Sequence, residues 1–213
     1  MAYEFNGTNQ YLNVASAPVT AVPLTMACWF YPDTITANYT LFQISDGSNL
    51  NRFVLAALGA IAGDPLRAVT SAGGVEGSAD STTGFIASSW QHACGVFTSV
   101  NSRSIYLNGS NTATNTSILT PTGINRTEIG VRINSGVPGL YLDGRLAEVG
   151  IWNAALTANE VASLAQGMTC DKIRPQSLVF SAPLVRELID QKGGLTITNN
   201  NAATVANHTR VYA

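Results

Sequence analysis

Charged side chains are scarce in this sequence. The 213 residues include 11 Lys+Arg and 13 Asp+Glu, which gives a formal net charge of −2 and a charged fraction of 11%, against about 25% in an ordinary soluble domain. This balance excludes a strongly basic nucleic-acid-binding surface and an acidic tail. Small uncharged residues fill the deficit, so the sequence predicts a surface poor in charge.

Long apolar runs are also missing. No window approaches the roughly 18 consecutive apolar residues that a bilayer-spanning helix needs, and the first seven residues, MAYEFNG, lack the basic start and apolar run of a secretory leader. We therefore expect no membrane segment. The start of the chain predicts either folding in the cytoplasm of the producing cell or a leader that has been removed.

Cysteine is rare and widely spaced. The three residues are Cys28, Cys94 and Cys170, an odd number without metal-ligand spacing, which is a poor disulfide framework. Cysteine behaves as a small apolar side chain in protein cores. We predict three buried thiols.

Short runs of alternating apolar and polar residues are the main pattern, and they are typical of half-buried strands. Nine predicted strands lie at 11–14, 24–31, 39–44, 52–58, 66–70, 91–97, 102–107, 126–133 and 142–152, and four further strand-like runs lie at 177–181, 195–198, 204–206 and 209–212. In the strand at 142–152, alternation places Leu146, Glu148 and Trp152 on one face. An all-β sandwich of one domain follows from this spacing.

The other local signals concern turns, loops and one helix. Asn108-Gly109 predicts a type I′ hairpin turn, whereas 72–78 and 108–117 read as surface loops because they are rich in Gly, Asn, Ser and Thr. Thr157 and Glu160 have the spacing of a capping box, and Gly167 ends the apolar stripe that follows. The sequence predicts one short helix near 157–166.

Several motifs in order along the chain resemble a known family. They are FNG at 5–7 with YL at 11–12, LTMACWF at 24–30, WQHACGVF at 90–97, IYLNG at 105–109, EIG at 128–130 and LDGRLAEVGIWN at 142–153. This series resembles a LamG-like (laminin G and pentraxin type) jelly roll of the concanavalin A-like lectin/glucanase superfamily, of the stand-alone kind found in virion proteins of tailed bacteriophages. The resemblance implies an all-β, two-sheet antiparallel jelly-roll sandwich over about residues 2–168. It predicts a division into a sandwich at 1–170 and a charged C-terminal extension at 171–213, either a final β element or a docking arm packed on the same domain.

Catalytic constellations are not found in the sequence. Hydrolases of the superfamily carry Glu-x-Asp-x-Glu on one strand, since glycoside hydrolysis needs two facing carboxyl groups, and no such run is present. The resemblance makes His92 structural, and neither it nor His208 has a Ser or Cys placed as a nucleophile. We predict that the chain is not an enzyme.

Cofactor and ligand sites follow mainly from the resemblance. Pentraxins bind calcium through loop oxygens, and 46–51 could supply some, but Arg132 lies where a second set of ligands is expected; we predict no cofactor, with calcium as the alternative. The resemblance places Trp29, Trp90 and Trp152 in the core. The remaining ligand candidates are Tyr39, Asp46, Asn49 and Tyr141.

The predicted function is that of a non-enzymatic virion structural protein, a capsid decoration or fibre-type accessory protein assembled in the host cytoplasm. Its expected partners are a capsid or tail protein, copies of itself and cell-surface glycans reached through 72–80 and 108–117, without nucleic acid or membrane. The alternative is a secreted carbohydrate-binding module or adhesin domain in the extracellular space. An enzyme is the third hypothesis.

Overall fold

Two antiparallel sheets form a sandwich in the computed structural model, which describes residues 1–208 and 211 apart from the side chain of Asn111. The strands are β1 Ala2–Asn6, β2 Tyr11–Val14, β3 Leu24–Pro32, β4 Asn38–Ser45, β5 Arg52–Leu58, β6 Pro65–Ala72, β7 Val75–Gly84, β8 Gln91–Ser99, β9 Ser102–Leu107, β10 Ser110–Asn115, β11 Arg126–Ile129, β12 Arg132–Asn134, β13 Val137–Gly139, β14 Asp143–Trp152, β15 Leu178–Ala182, β16 Thr198–Asn200 and β17 Thr204–Ala206. The helices are α1 Ala158–Ala165 and a short 3-10 helix at Cys170–Lys172. The predicted all-β jelly roll with one α-helix is confirmed.

The strand order places distant parts of the chain side by side. One sheet has eight strands in the order β10-β9-β8-β3-β14-β1-β17, with β15 also paired to β14; the other has seven in the order β16-β2-β11-β4-β5-β6-β7; β12 and β13 form a separate hairpin. The described part of the C-terminal extension therefore adds strands to both sheets. The predicted run at 195–198 starts later, as β16. Of the predicted run at 209–212, only residue 211 is among the described residues, so this strand lies outside what the structure describes.

The core lies between the sheets and is filled by alternate residues of facing strands, among them Leu12, Phe42, Leu55, Ile129 and Phe180. A second apolar cluster lies between the eight-stranded sheet and α1 and includes Trp152, Val161 and Leu164. The three cysteines are free and buried, as predicted. Among the described residues, no helix has the length and apolar character to cross a bilayer.

Both predicted loops are largely strands. The stretch at 72–78 turns at Gly73 and Gly74 (φ +57° and +86°) into β7, and 108–117 turns at Asn108 and Gly109 (φ +53° and +75°) into β10. The hairpin turn at Asn108-Gly109 is confirmed, but the polar residues after each turn continue the sheet, because an edge strand needs no alternating apolar face. The assignment of these two stretches as loops is therefore wrong, and contact of 72–80 and 108–117 with glycans stays a prediction.

Two long predicted strands are interrupted. Gly130 (φ +78°) ends β11, and its N–H donates to Leu41 O at 2.8 Å, so the predicted strand at 126–133 divides into β11 and β12. In β14 a bulge at Glu148 (φ +50°) shifts the register with β3. Leu146 packs in the core between the sheets whereas Trp152 packs toward α1, so the prediction that they share a face is wrong; an extra residue in a bulge reverses the alternation.

The capping box of α1 is confirmed. Glu160 N–H donates to Thr157 Oγ1 at 3.3 Å, and Thr157 N–H donates to Glu160 Oε2 at 2.7 Å. Arg174 from the C-terminal extension donates from Nη2 to Glu160 Oε2 at 2.6 Å. The extension is thus connected to the first turn of the helix.

Candidate functional site

A row of polar side chains crosses four adjacent strands, β16, β2, β11 and β4, on the outer face of the seven-stranded sheet. The register pairs Thr198 with Asn13, Asn13 with Glu128, and Glu128 with Gln43. Because side chains alternate along a strand, their sequence neighbours Leu12 and Ile129 point into the core. Strands from the start, middle and end of the chain therefore place amides and a carboxylate on one surface.

The β12–β13 hairpin forms one wall above this row. It turns at Ser135 and Gly136 (φ +50° and +80°), and Gly136 N–H donates to Gly47 O at 3.2 Å, which joins the hairpin to the loop after β4. The enclosed groove has a volume of about 570 Å³. Its lining residues are Tyr11, Asn13, Ala15, Asn125, Arg126, Glu128, Ile133, Gly136, Pro138 and Asn200.

Glu128 lies at the floor of the groove and is only 2% exposed. Gln43 Nε2 donates to Glu128 Oε2 at 3.1 Å, and Ser45 Oγ donates to the same oxygen at 3.0 Å. Burial raises the pKa of Glu128 to about 7, against the opposing effect of these two donors and of Arg126, because a charged carboxylate loses hydration inside a protein. The carboxyl group therefore changes charge near neutral pH.

Arg126 lies at the rim, with a side chain 45% exposed. Its Nε donates to Asn125 Oδ1 at 3.2 Å and lies 4.0 Å from Glu128 Oε1. The guanidinium group covers Gly47, where an added Cβ would lie 2.8 Å from Arg126 Cζ. Within the described part of the chain, neither Nη atom of Arg126 has a hydrogen-bond partner.

The four ligand candidates from the sequence lie in different environments. Tyr39 is 3% exposed and its hydroxyl contacts Thr34 Oγ1, so its ring has no open face. Tyr141 lies beside the groove, with its ring centroid 6.2 Å from that of Tyr11. Asp46 and Asn49 share the loop after β4. The candidates do not form one site.

The loop around Asp46 has the hydrogen bonds of a turn. Asp46 accepts from Ser48 N–H at 2.8 Å, Ser48 Oγ at 2.7 Å and Asn51 Nδ2 at 2.9 Å, and these donors lower the pKa of its carboxyl group against the effect of burial. Asn49 has φ +76°, and its backbone carbonyl accepts from Arg52 Nη1. Across residues 1–208 and 211, no group of three or more His, Cys, Asp or Glu side chains is arranged to hold a metal ion.

His92 and the tryptophans lie on or within the eight-stranded sheet, away from the groove. His92 is buried, and desolvation lowers its pKa to about 3. Trp152 is fully buried, but Trp29 and Trp90 are partly exposed, with ring centroids 5.4 Å from His92 and 5.7 Å from Tyr31. The prediction that all three tryptophans are core residues is wrong for Trp29 and Trp90, because Trp29 is at an outward-facing position of β3 and Trp90 lies just before β8 begins.

Sequence reasoning missed most of the groove. Tyr11 and Asn13, and likewise Arg126 and Glu128, alternate with buried residues on predicted strands, and that alternation marks them as outward-facing. Local pattern does not reveal which strands are neighbours. Asn200, whose Nδ2 donates to Asn13 Oδ1 at 2.7 Å, reaches the groove from the far end of the chain.

The family model Laminin_G_3, described as the concanavalin A-like lectin/glucanases superfamily, matches residues 6–162. The chain belongs to this family. The matched residues include β2, β11 and the β12–β13 hairpin, whereas Asn200 lies beyond them. No protein with a curated description matches the sequence.

Three solved structures show the same fold. A native heptameric SAP-like pentraxin from Limulus polyphemus superposes with a TM-score of 0.68 at 18% identity, covering 95% of this chain and 93% of that one. A Bacteroides ovatus protein described with a proposed carbohydrate-binding role superposes with a TM-score of 0.65 at 22% identity, covering 97% of this chain and 61% of that one. The CBM40 of the Ruminococcus gnavus IT-sialidase, bound to α2,3 sialyllactose, superposes with a TM-score of 0.61 at 12% identity, covering 78% of this chain and 98% of that one. At these identities the likeness concerns the fold.

Proposed function

We propose that this chain is a non-catalytic carbohydrate-binding module and that the groove on the seven-stranded sheet is its binding site. The observation that carries the proposal is the lining of the groove: three asparagines, one tyrosine, one arginine and one buried carboxyl group around about 570 Å³. A concave surface with a few convergent polar groups is the usual form of a small-ligand site.

The chemistry of the lining suits sugar hydroxyl groups. Each hydroxyl both donates and accepts hydrogen bonds, and the side-chain amides of Asn13, Asn125 and Asn200 offer both functions. The ring of Tyr11 adds an apolar surface for the C–H face of a pyranose. Loss of a buried hydrogen-bonding partner is costly, so such a site discriminates between sugars by the placement of their hydroxyl groups.

Two further observations support binding without catalysis. Glu128 is the single carboxylate among the described residues that line the groove, whereas glycoside hydrolysis commonly uses two carboxyl groups on opposite sides of the bond. The Bacteroides ovatus and Ruminococcus gnavus relatives are described through carbohydrate binding.

With this function we propose an extracellular location, the alternative set beside the virion surface in the sequence analysis; the same relatives are described only through carbohydrate binding. Docking on a viral particle gains no support from their descriptions, so it is not the function proposed. The heptameric pentraxin is compatible with self-association, and a glycan site repeated in an oligomer would gain avidity.

The test combines a glycan array with calorimetric titration of the glycans that bind. We expect Asn13→Ala and Tyr11→Ala to weaken binding at least about tenfold, since each removes a contact of roughly 1.4 kcal/mol or more. Tyr106→Ala, at a half-buried tyrosine of the opposite sheet, is the matched control and should bind normally. Binding that both groove variants leave unchanged would contradict the site, and release of shorter products from a bound oligosaccharide would contradict the non-catalytic role.

A further inference from the structure

We propose that the groove selects glycans bearing a carboxylate, which Arg126 binds through its two free Nη groups, and that the protonation state of Glu128 controls the strength of this contact. The inference rests on the proposed carbohydrate-binding function and names the ligand class of that same site.

Arg126 is placed at the rim of the groove with donors available for a ligand. Its Nε donates to Asn125 Oδ1 while both Nη groups are without partners in the described chain, and the guanidinium group lies against Gly47 at the rim of the groove. A planar guanidinium fork matches the two oxygens of a carboxylate. Neutral hydroxyl groups would use only part of this fork.

The protonation state of Glu128 sets the net charge of the groove. Arg126 and Glu128 are the two charged groups of the lining, 4.0 Å apart at Nε and Oε1. The other residues packed on Glu128 from β2 and β4 are the uncharged Asn13, Gln43 and Ser45, and Asp46 acts on it electrostatically from the loop after β4. The pair therefore has a net charge of +1 when Glu128 is protonated and zero when it is ionised.

The surroundings of Glu128 accommodate its neutral form. Gln43 Oε1 is buried and has no hydrogen-bond partner, while Gln43 Nε2 donates to the Glu128 carboxylate. Rotation of the Gln43 amide by 180° would present Oε1 to a proton on Glu128 and keep the pair hydrogen-bonded. With a pKa of about 7 for this buried carboxyl group, the exchange falls within the physiological pH range.

A carboxylate on the ligand would respond to this exchange. Below pH 7 it would meet Arg126 beside a neutral acid, and above pH 7 it would meet the ionised Glu128 as well. Two like charges separated by several ångströms at a partly screened site change affinity by roughly tenfold. A neutral sugar has no corresponding charge.

The experiment measures affinities, by titration calorimetry at pH 6 and pH 8, for pairs of oligosaccharides that differ only by oxidation of one C6 hydroxymethyl group to a carboxylate. The wild-type chain should prefer the acidic member at pH 6 and lose about tenfold of that affinity at pH 8, with little change for the neutral member. Glu128→Gln should keep the preference and remove its pH dependence. Arg126→Gln should lose the preference for the acidic member at pH 6, and Arg145→Gln, on the opposite sheet, is the matched control that should keep it.

The outcomes separate the two proposals. If the wild-type chain binds neither member of any pair, the carbohydrate-binding function itself fails. If it binds both members equally at both pH values, that function stands and the carboxylate preference is overturned. Should Arg126→Gln fail to fold, the salt dependence of wild-type binding decides, because 1 M NaCl weakens a contact between a guanidinium group and a carboxylate and leaves neutral sugar binding almost unchanged.

Discussion

Gln43 donates a hydrogen bond from Nε2 to Glu128 Oε2 at 3.1 Å while its own Oε1 is buried without a partner. This arrangement links a sheet position beneath the groove to a carboxyl group that titrates near neutral pH. It also makes folding stability dependent on pH, because the native chain binds the Glu128 proton more tightly than the unfolded chain does.

The first prediction concerns this pH dependence. The native pKa of Glu128 is about 7 against an ordinary value of 4.5, so its contribution to stability is fully present below pH 4.5 and is lost as the pH rises through 7. The difference in the free energy of unfolding between wild type and Glu128→Gln should change by about 3 kcal/mol across that window. Urea unfolding at several pH values measures it.

The pH dependence of stability has to be compared between two proteins, because His92 also contributes to it. Its native pKa of about 3 lies below the ordinary 6.5, so its contribution is present above pH 6.5 and is lost as the pH falls toward 3. The two slopes oppose each other between pH 4.5 and 6.5 in the wild type. His92 is unchanged in Glu128→Gln, and a constant difference between the two proteins at all pH values would contradict the assignment to Glu128.

A second prediction concerns the contact between the Arg126 guanidinium group and Gly47. Gly47 has φ +75°, and a Cβ at this position would lie 2.8 Å from Arg126 Cζ, so Gly47→Ala should displace the guanidinium group and abolish the preference for carboxylated glycans. Gly73→Ala is the control, since Gly73 also has a positive φ (+57°) but no atom within 4 Å of the added Cβ. Both variants should lose about 1–2 kcal/mol from backbone strain. Only Gly47→Ala should alter ligand preference, as measured by calorimetry.

The third prediction concerns the first turn of α1. Thr157→Ala removes the side chain that accepts from Glu160 N–H and should lower the free energy of unfolding by about 1 kcal/mol. Thr157→Ser keeps the hydroxyl group and is the matched control. Equal stability of the two variants in urea unfolding would show that the cap contributes nothing measurable.

The sequence predicted most strands that have an alternating apolar face, but it missed β1, in which Tyr3 and Phe5 face the core. The nine predicted strands correspond to real ones, since each has an apolar face for the core, whereas β7 and β10 consist largely of Gly, Ser, Thr and Asn. Each pairs with the strand that immediately precedes it, β7 with β6 and β10 with β9. The groove was missed for a different reason, because β2, β11 and β16 become neighbours only through the order of strands in the sheet.

Arg103 of β9 links the two sheets beside β7 and β10, through Thr70 of β6 and Asn115 of β10. It is 1% exposed; Nε donates to Thr70 Oγ1 at 3.0 Å, Nη2 donates to Ser117 O at 2.6 Å, and Nη1 donates to Asn115 Oδ1. A Cβ at Gly77 would lie 2.6 Å from Nη1, so the glycine that suggested a loop allows β7 to approach this guanidinium group.

The fourth prediction follows from that geometry. Arg103→Lys keeps the charge but provides one nitrogen in place of three, so the buried Thr70 Oγ1 and the partly buried Asn115 Oδ1 and Ser117 O cannot all keep their guanidinium donors; loss of a buried hydrogen-bond partner costs about 1–3 kcal/mol. We expect a destabilisation of at least about 2 kcal/mol in urea unfolding, with faster amide hydrogen exchange in β7 and β10. Arg145→Lys, at a partly exposed arginine paired with Glu4, should change stability by less than about 1 kcal/mol. If the two lysine variants were equally stable, the hydrogen bonds of the Arg103 guanidinium group would not be needed to keep β7 and β10 in the sheets. Pairing with β6 and β9 would then be enough for these strands.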